Sequence, residues 1–255
     1  MNLSLTAWLD SYRQDLKTAL HRAAGDGFRL AQPNATRDEL DPRGFGGSAR
    51  RHLRRTLQNL GLAFDAVGAE YPGAGLAEPA LAERHLEHLR GTLELCRDLG
   101  VPRVVTNLTG LGEDARRPLA VELLRAVADL SDRSGVSVAV RSVGDDAALL
   151  AEQVRETGCP SLRVAVDTAR LRPTSANAAA FVDLVGAVGL RDVHELDGRM
   201  IEEVDFGQGT TDFPAFFAWL EQCGYDGTLA IRRDAADAGV DALRQGREHI
   251  ASLLR

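Results

Sequence analysis

Lysine is almost missing from this chain: of its 30 basic side chains, only Lys17 is a lysine. Schiff-base chemistry therefore has one candidate, and Lys17 lies in an early helical pattern rather than at a strand end, so aldolase-type catalysis is set aside. Cysteine is scarce as well. Cys96, Cys159 and Cys223 show neither metal-ligand nor disulfide-framework spacing and read as buried thiols of a reducing cytoplasm. No apolar run approaches the ~20 residues that a membrane helix needs. The first eight residues lack a basic stretch and meet Asp10 almost at once, so no signal peptide is read. Acidic side chains outnumber basic ones, 37 to 30, for a net charge of −7, which argues against a nucleic-acid partner. No strand pattern is followed by a G-x-G-x-x-G turn, and no G-x-S-x-G elbow is present. The expectation is a cytoplasmic protein with no membrane or nucleic-acid partner and no cofactor.

What remains is a long, regular alternation. With 44% hydrophobic residues the 255-residue chain can bury a large core. Short apolar runs rich in β-branched residues predict strands at 3–8, 28–32, 62–70, 103–108, 136–142, 162–168, 192–196 and 228–233. Segments with a period near 3.6 predict helices at 12–24, 47–60, 79–99, 117–134, 145–157, 175–188, 213–223 and 240–254. In the third helix Leu81, His85, Leu89, Leu93, Cys96 and Leu99 recur every three or four residues, and Gly100 stops it. Strands alternating with helices imply parallel strands joined by helical crossovers. The count and length favour an α/β fold closed as one (β/α)8 barrel, a single domain over 1–255.

In such barrels chemistry sits at the carboxyl ends of the strands. The predicted fifth to eighth strands end on Arg141, Asp167, His194 and Arg232. Each is an apolar run that stops on an ionisable group, and together they predict one shared mouth. His85 and His88 have an i, i+3 spacing that could hold a metal, yet they belong to an outer helix, where a half-buried or solvated role is expected. The turn Gly207-Gln208-Gly209-Thr210 is either a phosphate cradle of backbone amides or a plain loop before a helix capped by Thr211 or Asp212.

The last third carries a resemblance. The segment DVHELDGRMIEEVDFGQGTTDFPAFFAWLEQCGYDGTLAIRRD, with His194, Asp197, Gly207–Gly209, Asp212, Tyr225 and Gly227, resembles the closing part of the sugar-phosphate isomerase/epimerase family, the xylose-isomerase-like TIM barrels. VAVDTARL at 164–171 resembles that family's sixth-strand segment with a metal-binding Asp. The resemblance implies a divalent cation held by Glu, Asp, His and Glu after strands five to eight, the two glutamates also moving protons. Here Asp167 and His194 match, while Arg141 and Arg232 stand at the glutamate positions. Arginine stays protonated, so it neither ligates a metal nor acts as a base. At ~4 Å a unit charge pair is worth ~4 kcal/mol at an effective dielectric of 20, enough to expel a divalent cation.

Three readings follow. In the first, a metal-independent barrel binds a sugar phosphate or sugar acid: Arg141 and Arg232 clamp the anion, Glu70 and Asp197 assist, and His194, oriented by Asp167 or Glu195, acts as acid or base. In the second, an inactive scaffold or regulatory paralogue, Arg141 and Arg232 pair with Asp167 and nearby carboxylates. In the third, a metal-dependent isomerase has rebuilt its site from Glu70, Glu195, Asp197 or Glu202. Whether the arginine heads face an open cavity or closed salt bridges separates the first two. Replacing Arg141 and Arg232 by glutamate is expected to recreate a four-ligand set with Asp167 and His194. Homo-oligomeric association is an expectation by analogy alone.

Overall fold

The computed structural model describes residues 3–37, 39–142, 147–196, 199–236, 238–239 and 241–255. The strands are β1 (Ser4–Trp8), β2 (Leu30–Gln32), β3 (Ala63–Phe64), β4 (Val67–Ala69), β5 (Arg103–Leu108), β6 (Ser137–Ser142), β7 (Leu162–Asp167), β8 (Val185–Leu190), β9 (Asp192–Leu196), β10 (Arg199–Val204) and β11 (Thr228–Ile231). The helices are α1 (Leu16–Gly25), α2 (Gly47–Leu60), α3 (Ala82–Leu99), α4 (Arg117–Ser134), α5 (Ala147–Glu156), α6 (Ser175–Phe181), α7 (Phe213–Gln222) and α8 (Ala242–Leu253).

Nine of the strands form one parallel sheet in the order β3-β2-β1-β11-β8-β7-β6-β5-β4. Its two end strands, β3 and β4, are halves of one broken barrel strand. The ring is completed where Gly68 N–H donates to the Pro33 carbonyl and Ala35 N–H to the Gly68 carbonyl, each at 2.7 Å. The expected (β/α)8 TIM barrel is what forms.

Small residues line the inside: Ala66, Val105, Ala139, Ala165 and Ala187 make a compact buried cluster. Trp8 is buried against Gly68, where a Cβ would lie 2.4 Å from its ring, so only glycine fits there. The larger core lies between barrel and helices, where Leu89, Leu93 and Cys96 of α3 are fully buried as their spacing predicts. Local signals hold at several ends. Gly100 (φ +75°) and Gly135 (φ +70°) close α3 and α4, and Asp212 caps α7 by accepting from Ala215 N–H at 2.9 Å.

The seventh strand departs from the sequence expectation. The helix expected over 175–188 stops at Phe181, and residues 185–190, VGAVGL, form the barrel strand instead. The stretch is apolar on every side, so periodicity alone does not distinguish strand from helix. Segment 192–196, expected as that strand, is β9, which pairs antiparallel with β10 in a separate hairpin beyond the barrel.

Candidate functional site

Alternation along each strand builds the mouth. Two residues beyond the interior alanines Ala139, Ala165 and Ala187 come Arg141, Asp167 and Gly189, which therefore face the same way one layer higher. Glu70 follows β4 directly, and Arg232 follows β11. Leu190 ends β8, and Arg191 reaches inward from the next position.

These side chains lock together. Arg232 meets Glu70 twice, Nη1 to Oε1 at 2.7 Å and Nη2 to Oε2 at 3.0 Å. Arg141 joins Glu70 at 2.9 Å and Asp167 at 3.3 Å. Arg191 grips the other Asp167 oxygen through Nε at 3.0 Å and Nη2 at 2.8 Å. Asp234 accepts from Arg232 at 3.1 Å and lies 3.6 Å from Arg191. The Arg232 guanidinium also stacks on Trp8 at 4.2 Å. Asp167 is the buried end of this network, with a side chain 1% exposed; Asp234 is its open end, at 35%.

Electrostatics follows from the packing. Burial pushes the Glu70 carboxyl up, but Arg141 and Arg232 overcome it and hold the group at about 2. Asp167 is likewise raised by burial and pulled well below the usual carboxylate range by Arg191, Arg141 and Arg232. On the adjoining hairpin, burial raises Glu203, which accepts from Asp234 N–H at 2.8 Å and sits 3.9 Å from Arg191. Arg170 makes no ion pair among the described residues; burial and the Arg191 charge work against its protonated form, while Asp167 and Asp234 work for it. Arg141 Nε and Arg232 Nε are buried without hydrogen-bond partners.

Of the residues expected at the mouth, Arg141, Asp167, Arg232 and Glu70 come together. His194 does not. It belongs to β9, is 43% exposed, and faces Glu202 at 3.9 Å. The seventh-strand position that looks into the mouth is Gly189, where a Cβ would meet Asp167 Oδ2 at 3.1 Å and the Arg232 side chain at 3.3 Å. Glu195 pairs with Arg172 away from the network, and Asp197 lies outside the described residues. Sequence reasoning missed Arg191 and Asp234. The usable signal was Arg191, an ionisable residue closing the VGAVGL run just as Arg141 and Asp167 close theirs.

The glycine turn at 207–209 does cradle an anion, its own Asp192. That buried carboxylate accepts from the N–H groups of Gly207 at 2.8 Å, Gly209 at 3.0 Å and Thr211 at 3.3 Å, so these amides are already taken. His85 and His88 are both buried, not solvated, and each spends a ring nitrogen on a backbone carbonyl.

As these side chains are arranged, the mouth offers a divalent cation no free oxygen of Glu70 or Asp167. Both oxygens of Glu70 and both of Asp167 are committed to guanidinium groups, and no described set of three or more His, Cys, Asp or Glu side chains converges to hold a metal.

A family model described as xylose isomerase-like TIM barrel matches residues 20–253. The chain belongs to that family. A search among curated proteins finds no match. Among solved structures, a xylose isomerase domain protein from Planctomyces limnophilus is 18% identical, with a TM-score of 0.77 over 99% of this chain and 95% of its own. The IolI protein with a bound zinc atom is 16% identical, with a TM-score of 0.79 over 100% and 98%. D-allulose 3-epimerase from Methylomonas sp. in complex with D-allulose is 18% identical, with a TM-score of 0.74 over 98% and 97%. At these identities the likeness is one of fold. Among the described residues of this family member, no helix is long and apolar enough to cross a membrane.

Proposed function

We propose that this barrel has given up metal-assisted isomerisation and is kept as a catalytically silent binding or regulatory member of its family. One observation carries the reading: Glu70 bridges Arg141 and Arg232 across the mouth, so the two positively charged replacements are neutralised from within. A network that satisfies itself leaves neither an electrophile nor a free base at the mouth. The protein is tested for sugar isomerase and epimerase activity with Mn²⁺, Co²⁺, Mg²⁺ or Zn²⁺ supplied. Metal-dependent turnover, or near-stoichiometric metal in the purified protein that chelators remove with loss of stability, overturns the reading.

A second reading is favoured by Arg170, which no described ion pair engages, and by the half-open Asp234. Here a sugar phosphate or sugar acid takes the place of the Asp234 carboxylate on Arg191 and Arg232, and the protein binds small anions. Asp234→Asn then strengthens anion binding instead of merely lowering stability. Calorimetric titration of wild type and variant with gluconate decides between the two.

A further inference from the structure

Successive residues at the end of the third barrel strand face opposite ways. Glu70 enters the mouth, and Tyr71 turns outward into a separate cavity of about 250 Å³ that also touches Thr36, Asp41, Arg43, Arg84, His85 and His88. We propose that this cavity is a second ligand site, independent of the mouth, for a small molecule bearing an oxyanion.

The walls are built and held. Asn107 clamps the Tyr71 backbone from both sides, accepting its N–H and donating to its carbonyl at 2.8 Å each. The Tyr71 ring stacks on His85 with centroids 4.2 Å apart, and its hydroxyl lies 3.0 Å from His88 Nδ1. His88 Nε2 is spent on the Ala35 carbonyl at 3.1 Å. These groups form the frame rather than the contacts.

What is left over faces the ligand. In neutral His85 the proton sits on Nδ1, which donates to the Gly75 carbonyl at 2.9 Å, leaving Nε2 as an unshared acceptor. Next to it lies Arg84, which no described ion pair engages. Asp41, the cavity's one described acid, is neutralised by Arg43, which holds its carboxyl at about 2 and donates to both its oxygens. The cavity therefore has a net positive charge, the Thr36 hydroxyl and an imidazole nitrogen that meets an oxyanion as a donor once it is protonated. Its volume is below the ~300–1,000 Å³ usual for drug-sized ligands, so the occupant is small.

Proton linkage gives the site a signature. The charged groups facing His85 are Arg84 of its own helix, Glu78 from the preceding loop and the Asp41–Arg43 pair beyond His88. Burial, chiefly, and then Arg84 disfavour the imidazolium; a bound oxyanion favours it. Binding therefore takes up a proton and tightens as pH falls.

Inorganic sulfate, whose charge is constant between pH 6 and 8, is titrated while the His85 ring proton is followed by NMR. A saturable shift is expected, stronger at pH 6, weakened at least about tenfold in Arg84→Gln and unchanged in the mouth variant Arg170→Gln. Separate arms with ribose 5-phosphate and gluconate tell a phosphate ester from a carboxylate. His85→Gln should abolish the pH dependence; if it fails to fold, the exposed Arg84→Gln decides alone. The proposal falls if no saturable shift occurs, if Arg84→Gln binds as well as wild type, or if only Arg170→Gln loses binding.

Discussion

Glu70 and Arg232 leave the third and eighth barrel strands, with β1 and β2 between them, and meet through two hydrogen bonds of 2.7 and 3.0 Å. This bidentate pair spans the mouth, and Arg141 leans on the same carboxylate. In a buried network the cost of losing one partner greatly exceeds the net worth of the pair, because the remaining charges stay out of water.

Glu70→Gln is expected to cost about 3–5 kcal/mol in urea unfolding at pH 7, since Arg141 and Arg232 then share an uncharged amide. The pH dependence has a definite sign. The folded carboxyl is held at about 2, below its ordinary value, so its contribution is complete above the unfolded pKa and is lost as pH falls through the folded one. Wild type should lose stability steeply between about pH 4.5 and 2, and Glu70→Gln less so. Equal acid limbs would show that Glu70 is not held by these arginines.

Rebuilding the metal site separates Gly189 from His194. Arg141→Glu with Arg232→Glu supplies two carboxylates beside Asp167, but His194 is out on the hairpin and contributes nothing. Adding Gly189→His places an imidazole where a side chain looks directly at Asp167. The triple variant should bind Co²⁺ with the visible absorption of a protein-bound ion. The double variant should bind it at least about tenfold more weakly. If the double variant binds equally well, the assignment of the seventh-strand position is wrong.

Most of the barrel was readable because its signals are local. A Pro near the start and a Gly at the end delimit α4, the α3 spacing marks its buried face, and apolar runs closing on Arg141 and Asp167 mark rim positions. The seventh strand was not readable, because ANAAAFVDLVGAVGL is apolar with either period, and the turn is made by Asp183 in a left-handed conformation (φ +59°). That single displacement moved the strand end from Leu190 to 196 and so put His194 at the mouth in place of Gly189 and Arg191. Pairing lies beyond pattern altogether: nothing local says that Glu70 and Arg232, 162 residues apart, share two hydrogen bonds.

The last test concerns Asp192, the carboxylate inside the glycine turn. It accepts three backbone N–H groups, from Gly207, Gly209 and Thr211, and a Cβ at Gly209 would fall 2.0 Å from its Oδ1. Hydrogen bonds to a charged group are worth about 1.5–3 kcal/mol each, and deleting the acceptor leaves buried donors unpaired. Losses overlap as the loop relaxes, so Asp192→Ala should cost about 2–4 kcal/mol in all. Asp192→Asn keeps one acceptor oxygen and should cost less, and Gly209→Ala should cost as much as Asp192→Ala by forcing the carboxylate away. Thermal melts of the three variants give the order. The decisive measurement is phosphate added to Asp192→Ala. If the turn is an anion nest plugged by its own side chain, phosphate restores part of the lost stability in this variant and does nothing in Gly209→Ala, where the plug is still attached. Failure to rescue, together with a loss below about 1 kcal/mol, would make the turn an ordinary loop whose amides reach water once the carboxylate is gone.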